Sequence, residues 1–217
     1  MQLYFVRHGE SEANLLNVFS NRDAPHGLTE RGRAQVEALA DKLAGIRFDA
    51  FYSSPILRAR ESAAILAARL GIAYTLTPAL LEYDVGVLEG RCDPESWRHY
   101  DEVREAWFRE RRWEVRTGGG ESFEDIRRRF VPFVEQLTAA PAQGATLLLG
   151  HGGTFTCMLP LVLANIDFSF VREHGLGHTE YVLAERRGDA LVCVQWGAKV
   201  FAEPGGRMTP KLPDSTC

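Results

Sequence analysis

Arg7 and His8 stand side by side at the end of an apolar run, in the stretch "LYFVRHGESEAN" from Leu3 to Asn14. A buried strand that ends in a cation, an imidazole and a glycine stops at the surface. Both side chains therefore belong at a strand's carboxyl edge, where open α/β sheets bind ligands. Ser11 and Asn14 follow within a few residues, at the start of a loop or helix whose free N–H groups accept an anion. Arg58 lies in the first turn of a helix after another strand pattern and points to the same edge. A lone histidine is more often satisfied by a main-chain carbonyl than used in chemistry. Two arginines converging on His8, however, suppress its protonation and leave a neutral imidazole, which is a nucleophile.

A second junction echoes the first: "LLLGHGGT" is again an apolar strand ending in His-Gly, and it carries His151 and Gly152. In a parallel sheet both ends lie on one side, so His8 and His151 face one pocket if their strands are neighbours. The elements that must position them follow from periodicity. "GLTERGRAQVEALADKLAG" sets Val36, Leu39, Ala40 and Leu43 at helical spacing, with Thr29 as N-cap and Gly45 as terminator. "FDAFYSS" reads as a strand, and "SSPILRARESAAILAARLG" as a helix with Ser54 at the N-cap, Pro55 at the first helical position and Gly71 past its end. "IAYTLTP" is a third strand pattern. "GESFEDIRRRFVPFVEQL" is helical from Ser122, with Ser122 and Asp125 as a capping box and Pro132 as a kink. "HTEYVLAER" and "ALVCVQWG" form a hairpin across Gly188-Asp189. Alternating strands and helices predict an α/β three-layer sandwich, a mostly parallel central sheet with helices on both faces.

With 217 residues, 45% apolar and 25% charged, the chain suits one domain over residues 1–200, with a lid or insertion at about 91–120 and a tail from 201 to 217 without period. A net charge of −4 gives no reason to expect nucleic acid or an anionic membrane. Cys92, Cys157, Cys193 and Cys217 are scattered without metal-ligand spacing, which suits a reducing compartment. No stretch approaches the ~18 apolar residues of a membrane span, so the expected location is cytoplasmic. A homodimer is considered as a partner.

The motifs "RHGESEAN", "GLTERGRAQ", "SSPILRARESA", "LLEYDVGVLEG", "GES" and "LLGHGG" occur in the order found in the histidine phosphatase (phosphoglycerate mutase-like) superfamily, and from residue 3 to about 155 the chain resembles that family. The resemblance implies that the partner is a small phosphorylated substrate, that His8 becomes phosphorylated and that Arg7, Arg58 and His151 hold the phosphoryl oxygens. It puts Glu82 where the family keeps its proton donor, with Glu10 and Glu89 as competing carboxylates. Ser11, Asn14, Arg22 and Gly152 fall at the substrate-binding positions. One departure is Ala13, where the family commonly has an aromatic residue before the asparagine. No metal and no cofactor are expected. The other histidines, His26, His99, His174 and His178, match no motif and read as structural or surface residues.

Guanidinium forks suit the oxygens of a transferring phosphoryl group better than an ammonium does. The flanking arginines also argue against a zinc site built on the two histidines, since fixed cations repel a divalent ion. No GxSxG elbow marks a serine hydrolase. Within the family, a phosphomonoester hydrolase stands against a cofactor-dependent mutase, and against a protein that binds phospho-ligands without turnover. Residues 91–116 hold seven arginines and seven acidic residues. The stretch, which carries Trp97, Trp107 and Trp113, reads as one or two amphipathic helices with charged outer faces, or as a lid whose aromatics and arginines choose the leaving group, and a short, neutral lid favours hydrolysis.

Overall fold

Alternation along the first strand sorts its side chains to two cores. In β1 (Gln2–Arg7), Leu3 and Phe5 face one cluster while Tyr4 and Val6 face another. The computed structural model describes residues 1–22, 25–139 and 144–201. Beyond β1 it contains α1 (Glu12–Leu15), α2 (Glu30–Leu43), β2 (Phe48–Ser53), α3 (Leu57–Leu70), β3 (Thr75–Leu76), α4 (Pro94–Phe108) and α5 (Phe123–Ala139). The chain continues through β4 (Ala145–Gly150), α6 (Gly152–Val162), α7 (Phe168–Glu173), β5 (Tyr181–Arg187), β6 (Ala190–Trp196) and β7 (Lys199–Val200).

The sheet order is β3-β2-β4-β1-β5-β6-β7. Its first four strands are parallel, and β5, β6 and β7 extend it in antiparallel fashion. Helices α2 and α3 cover the face of Tyr4, Val6, Leu147 and Leu149, and α5 and α6 cover the face of Leu3, Phe5 and Leu148. This is the expected three-layer sandwich. The pairing that matters most is β1 with β4, in register from Gln2↔Ala145 to Arg7↔Gly150. It makes His8 and His151 the next residue on two adjacent parallel strands, and His8 N–H donates to the Gly150 carbonyl at 3.1 Å.

Local signals explain most boundaries. Thr29 caps α2 by accepting from Gly32 N at 2.9 Å, Gly71 ends α3 with φ +67°, and Gly188 turns the hairpin with φ +62°. Ser122 and Asp125 cap α5 reciprocally, at 3.0 and 3.2 Å. Two expectations are corrected. The IAYTLTP strand shrinks to Thr75–Leu76, an exposed edge that pairs only with Tyr52 and Ser53. Helix α3 starts at Leu57, with Ile56 rather than Ser54 at the N-cap. Ser54 and Pro55 form the turn before it, where the Ser54 hydroxyl accepts from Ile56 N at 3.3 Å.

Residues 91–120 contribute one α-helix, α4, capped by Asp93 accepting from Ser96 N at 3.0 Å. Val103, Trp107 and Phe108 join the same core as β1 and α5, and Trp113 packs on Phe123 and Phe168. Helix α4 is thus anchored in the domain core by its inner face. The tail beyond Phe201 lies outside the described residues. Among the described residues no helix is long and apolar enough to cross a membrane.

The loop after β1 approaches α2 closely. A Cβ at Gly32 would lie 1.9 Å from the Glu10 carbonyl oxygen, and one at Gly9 would lie 2.5 Å from the Gly32 carbonyl oxygen. Two glycines let the turn that carries His8 rest directly on the helix.

Candidate active site

His8 is buried, and its ring has one tautomer that its neighbours permit. Nδ1 lies 2.6 Å from the Gly9 carbonyl, which only accepts, so Nδ1 carries the hydrogen. Nε2 is then a lone pair, and it accepts from Arg58 Nε at 3.0 Å. Burial, then Arg58, then Arg7 hold the imidazole well below its ordinary pKa. A neutral ring with a fixed proton on one nitrogen and a lone pair on the other is equipped for nucleophilic attack.

Arg58 enters from the first turn of α3 and is itself buried. Its Nη1 donates to the Ser20 carbonyl and its Nη2 to Asn21 Oδ1 at 3.4 Å. Desolvation brings its pKa down to about 10, so it remains a cation at neutral pH. Arg7, ending β1, donates from Nη1 to the Leu176 carbonyl at 2.7 Å and from Nη2 to His178 Nε2 at 2.9 Å. Gly152 makes room for it, since a Cβ there would lie 3.2 Å from Arg7 Cδ. His151 is fully buried, its ring centroid 5.1 Å from that of His8, and its Nε2 pairs with the Ser54 hydroxyl at 2.8 Å. Two buried side-chain nitrogens among the described residues lack a partner, Arg7 Nε and His151 Nδ1. Buried polar groups are nearly always satisfied. An oxyanion bound over His8 is the chemistry that would satisfy both.

The family description "Histidine phosphatase superfamily (branch 1)" matches residues 3–199. The chain belongs to that superfamily. It is 33% identical over 165 residues to the 2,3-bisphosphoglycerate-dependent phosphoglycerate mutase of Methylocella silvestris, covering 72% of this chain and 79% of that one. It is 31% identical over 163 residues to the adenosylcobalamin/alpha-ribazole phosphatase of Salmonella typhimurium, covering 75% and 80%. Among solved structures, a mycobacterial glucosyl-3-phosphoglycerate phosphatase in complex with VO3 shares the fold with a TM-score of 0.78 at 23% identity, covering 91% of this chain and 99% of that one.

In this histidine phosphatase superfamily member a cleft of about 720 Å³ opens over His8, and Arg7, Arg58, Asn14, Glu82 and Gly152 line it. Glu82 reaches the amino end of α6. Its Oε2 accepts from Gly153 N at 2.9 Å, and its Oε1 from Thr154 N at 2.7 Å and Thr154 Oγ1 at 2.9 Å. Unpaired N–H groups at a helix start suit a carboxylate, and Gly153 admits it, since a Cβ there would lie 2.7 Å from both oxygens. The competing acids are engaged elsewhere. Glu10 pairs with Thr29 Oγ1 at 2.9 Å and Arg31 at 3.4 Å, and Glu89 accepts from Asn21 N and Arg22 N.

Two expected substrate ligands do not reach the cleft. Arg22 is half exposed and its Nε donates to both Asp84 oxygens, at 3.0 and 3.1 Å, and the neighbouring Asn21 lines the wall instead. Ser11 is buried beneath the loop, where its backbone N–H and its hydroxyl both donate to Asn14 Oδ1, at 3.0 and 2.8 Å. Conversely, His178 was expected to be structural, yet its ring lies 5.9 Å from that of His8, and it holds Arg7. No motif marks it. Its only sequence signal is its place just before β5, the strand that pairs with β1. The other three expectations stand apart from this group: His26 bonds Ser20 Oγ, His99 faces Glu102, and His174 stacks on Phe170. Among the described residues no three His, Cys, Asp or Glu side chains are grouped to hold a metal.

Proposed function

We propose that the chain hydrolyses phosphomonoesters of small metabolites through a phosphohistidine on His8. The observation that supports it most is the neutral His8 ring, its Nε2 lone pair turned to Arg58, beside two buried nitrogens that lack a hydrogen-bond partner. Nε2 attacks phosphorus while Arg7, Arg58 and His151 hold the equatorial oxygens, and the bond to the leaving oxygen breaks. Glu82 gives that oxygen a proton. Oε2 is the natural carrier, since it accepts one main-chain N–H, from Gly153, where Oε1 accepts two, from Tyr83 and Thr154. Water then attacks the phosphohistidine, ionised Glu82 takes its proton, the P–N bond breaks, and inorganic phosphate leaves.

Fixed guanidinium groups supply the positive charge the transition state needs, so the reaction requires no metal ion. Turnover should survive prolonged chelation. Loss on chelation, restored by zinc, would replace this reading with a metal-dependent one.

Relatives named phosphoglycerate mutase favour a second reading, transfer between positions of one substrate. The cleft wall opposes it. Asp101 and Glu105 line the wall along with Arg104 and Arg172, so it carries no net charge with which to grip a second phosphoryl dianion. Steady-state turnover on a phosphomonoester panel, including 3-phosphoglycerate with and without a bisphosphoglycerate primer, separates the two. Release of inorganic phosphate without primer supports the hydrolase, and primer-dependent isomerisation overturns it. His8→Ala should abolish both activities, and the trapped phosphoprotein should be acid-labile and base-stable.

A further inference from the structure

The loop that carries Glu82 runs between two 3₁₀ turns, Pro78–Leu80 and Gly86–Leu88, so its main-chain groups need partners from elsewhere in the fold. An ion pair at the start of α5 supplies two of them. The second turn of that helix holds three arginines in a row, Arg127, Arg128 and Arg129. Arg127 and Arg128 are exposed and lie against Glu124 and Asp125 of the same helix. Arg129 turns inward, where Nε and Nη2 fork onto Glu121 Oε1 and Oε2 at 2.9 and 3.1 Å. Two parallel charge-assisted bonds are the geometry in which a guanidinium and a carboxylate fix one another best.

Each member of the pair also holds the main chain on one side of Glu82. Arg129 Nη1 donates to the carbonyl of Ala79, before the acid, at 3.0 Å. Glu121 Oε2 accepts from the N–H of Asp84, after the acid, at 2.9 Å, and Glu121 N returns a bond to the Asp84 carbonyl at 2.8 Å. The pair therefore ties both flanks of the Glu82 backbone to α5. That matters most at the moment of proton transfer. An ionised Glu82 is gripped by Gly153 N and Thr154 N, but a protonated carboxyl accepts from the same groups more weakly. In the form that gives the proton, the placement of the side chain falls to its backbone.

We propose that Arg129 and Glu121 are positioning residues for Glu82, a clamp that keeps the acid within reach of the leaving oxygen. The proposal rests on the hydrolase reading above, with Glu82 as its proton donor. Neither residue lines the cleft, so both act through the loop and not on the substrate. Removing one partner leaves the other charge unpaired in a mostly buried place and frees one flank of the loop. A pair that served the fold alone would slow every substrate alike when broken. A clamp on the acid slows the substrates that need the acid.

The test measures phosphorylation of His8 in single turnovers with two esters: glycerol phosphate, whose alkoxide needs a proton as it leaves, and p-nitrophenyl phosphate, whose phenolate does not. Arg129→Met should slow the alkyl ester by about 10- to 100-fold, the scale on which a small misplacement acts, and the aryl ester far less. In a Glu82→Gln background the same substitution should cost the alkyl ester nothing further, because the group it positions no longer donates. Arg129→Lys, which keeps the charge without the fork, should recover part of the loss. Asn165→Ala, which removes two hydrogen bonds to the Cys193 main chain outside the cleft, is the control for lost stability and should leave the alkyl-to-aryl rate ratio unchanged. Should Arg129→Met fail to fold, Glu121→Gln, which keeps the size and loses the ion pair, decides in the same assay. A loss equal on both esters, a loss that adds to that of Glu82→Gln, or no loss overturns the clamp and leaves the hydrolase reading standing. Failure of all three clamp variants to fold makes the pair part of the core and overturns the clamp as well. No phosphorylation of His8 by either ester in the wild type overturns the hydrolase reading and the clamp with it.

Discussion

Arg58 Nε donates to His8 Nε2 at 3.0 Å, so the cation that would hold a phosphoryl oxygen is bonded, in the free protein, to the nitrogen that would attack phosphorus. The same contact keeps the imidazole unprotonated, because a proton on Nε2 would meet the guanidinium head-on. An incoming phosphate resolves the arrangement by giving Arg58 a better acceptor and freeing the lone pair. Arg58 is also tied to Ser20 and Asn21, so its guanidinium keeps other partners when Nε turns from His8.

The first prediction is of acid sensitivity with a definite sign. His8 and His151 are held well below the ordinary histidine pKa by burial and the arginines, and His178 is pushed down to about 4, mostly by desolvation. Around pH 6.5 the unfolded chain takes up protons on these rings and the folded chain does not. Stability from this source is complete above pH 6.5 and falls as pH drops from 6.5 toward 4. Melting temperature against pH should show that decline, with up to three protons bound on unfolding. Long-range proton–nitrogen NMR should find His8 neutral, with hydrogen on Nδ1, at pH 6. A His8 resonance titrating at its ordinary value would refute the geometry.

His178 should act on activity through Arg7. His178→Ala removes the acceptor of Arg7 Nη2 and leaves only the Leu176 carbonyl to hold the fork. The expected loss is about tenfold in kcat/KM, the scale of one charge-assisted hydrogen bond, carried mainly by weaker phosphate binding. Inhibition by inorganic phosphate should weaken in parallel. His99→Ala, on the outer face of α4 beside Glu102, is the control and should change neither quantity.

These residues also mark how far the sequence could be read. Arg7, Arg58 and His151 were legible because each flanks a strand end or helix start with its own apolar signature, and parallel topology gathers such ends at one edge. His178 was not, because it precedes an antiparallel strand, and its nearness to His8 depends on the β1–β5 pairing. Arg22 occupies a suitable position in the chain, but Asp84 and Glu89 on the facing loop bind its side chain and backbone. Ser54 carries the signature of an N-cap, yet the helix begins later and its hydroxyl serves His151. Among the seven arginines of residues 91–116, only the phase of α4 sets Arg104 on the cleft wall, and composition does not report phase.

Gly32 tests whether the seat of the His8 loop matters. A Cβ there would lie 1.9 Å from the Glu10 carbonyl, a backbone atom that also accepts from Thr29 N at 3.0 Å and cannot turn aside. Gly32→Ala should cost about 1–3 kcal/mol or more by overpacking, seen as a lower melting temperature, and should reduce kcat because the loop must lift off α2. Gly45→Ala, with open space at its Cβ, should be nearly neutral. Equal effects at both positions would show that the contact does not position the loop.

Glu82 gives the most discriminating prediction, because its role depends on the leaving group and those of His8 and Arg58 do not. With an alkyl phosphate the departing alkoxide is strongly basic and needs a proton as the bond breaks. Glu82→Gln keeps the size and some of the hydrogen bonding to Gly153 and Thr154 but has no acidic proton. Phosphorylation of His8 should slow by about 10²–10⁴-fold, the usual range for general-acid catalysis. With p-nitrophenyl phosphate the departing phenolate is a weak base, so the same step should lose far less. Attack of water on the phosphohistidine then lacks its base and becomes limiting, and rapid mixing should show a burst of nitrophenolate stoichiometric with enzyme. Equal losses on alkyl and aryl substrates in single-turnover measurements would remove Glu82 as the acid. Because Glu10 is paired with Arg31 and Glu89 with the Asn21 and Arg22 amides, the proton would then have to come from solvent or from the cleft-wall carboxylates Asp101 and Glu105, and the phosphohistidine step would stand with a different donor.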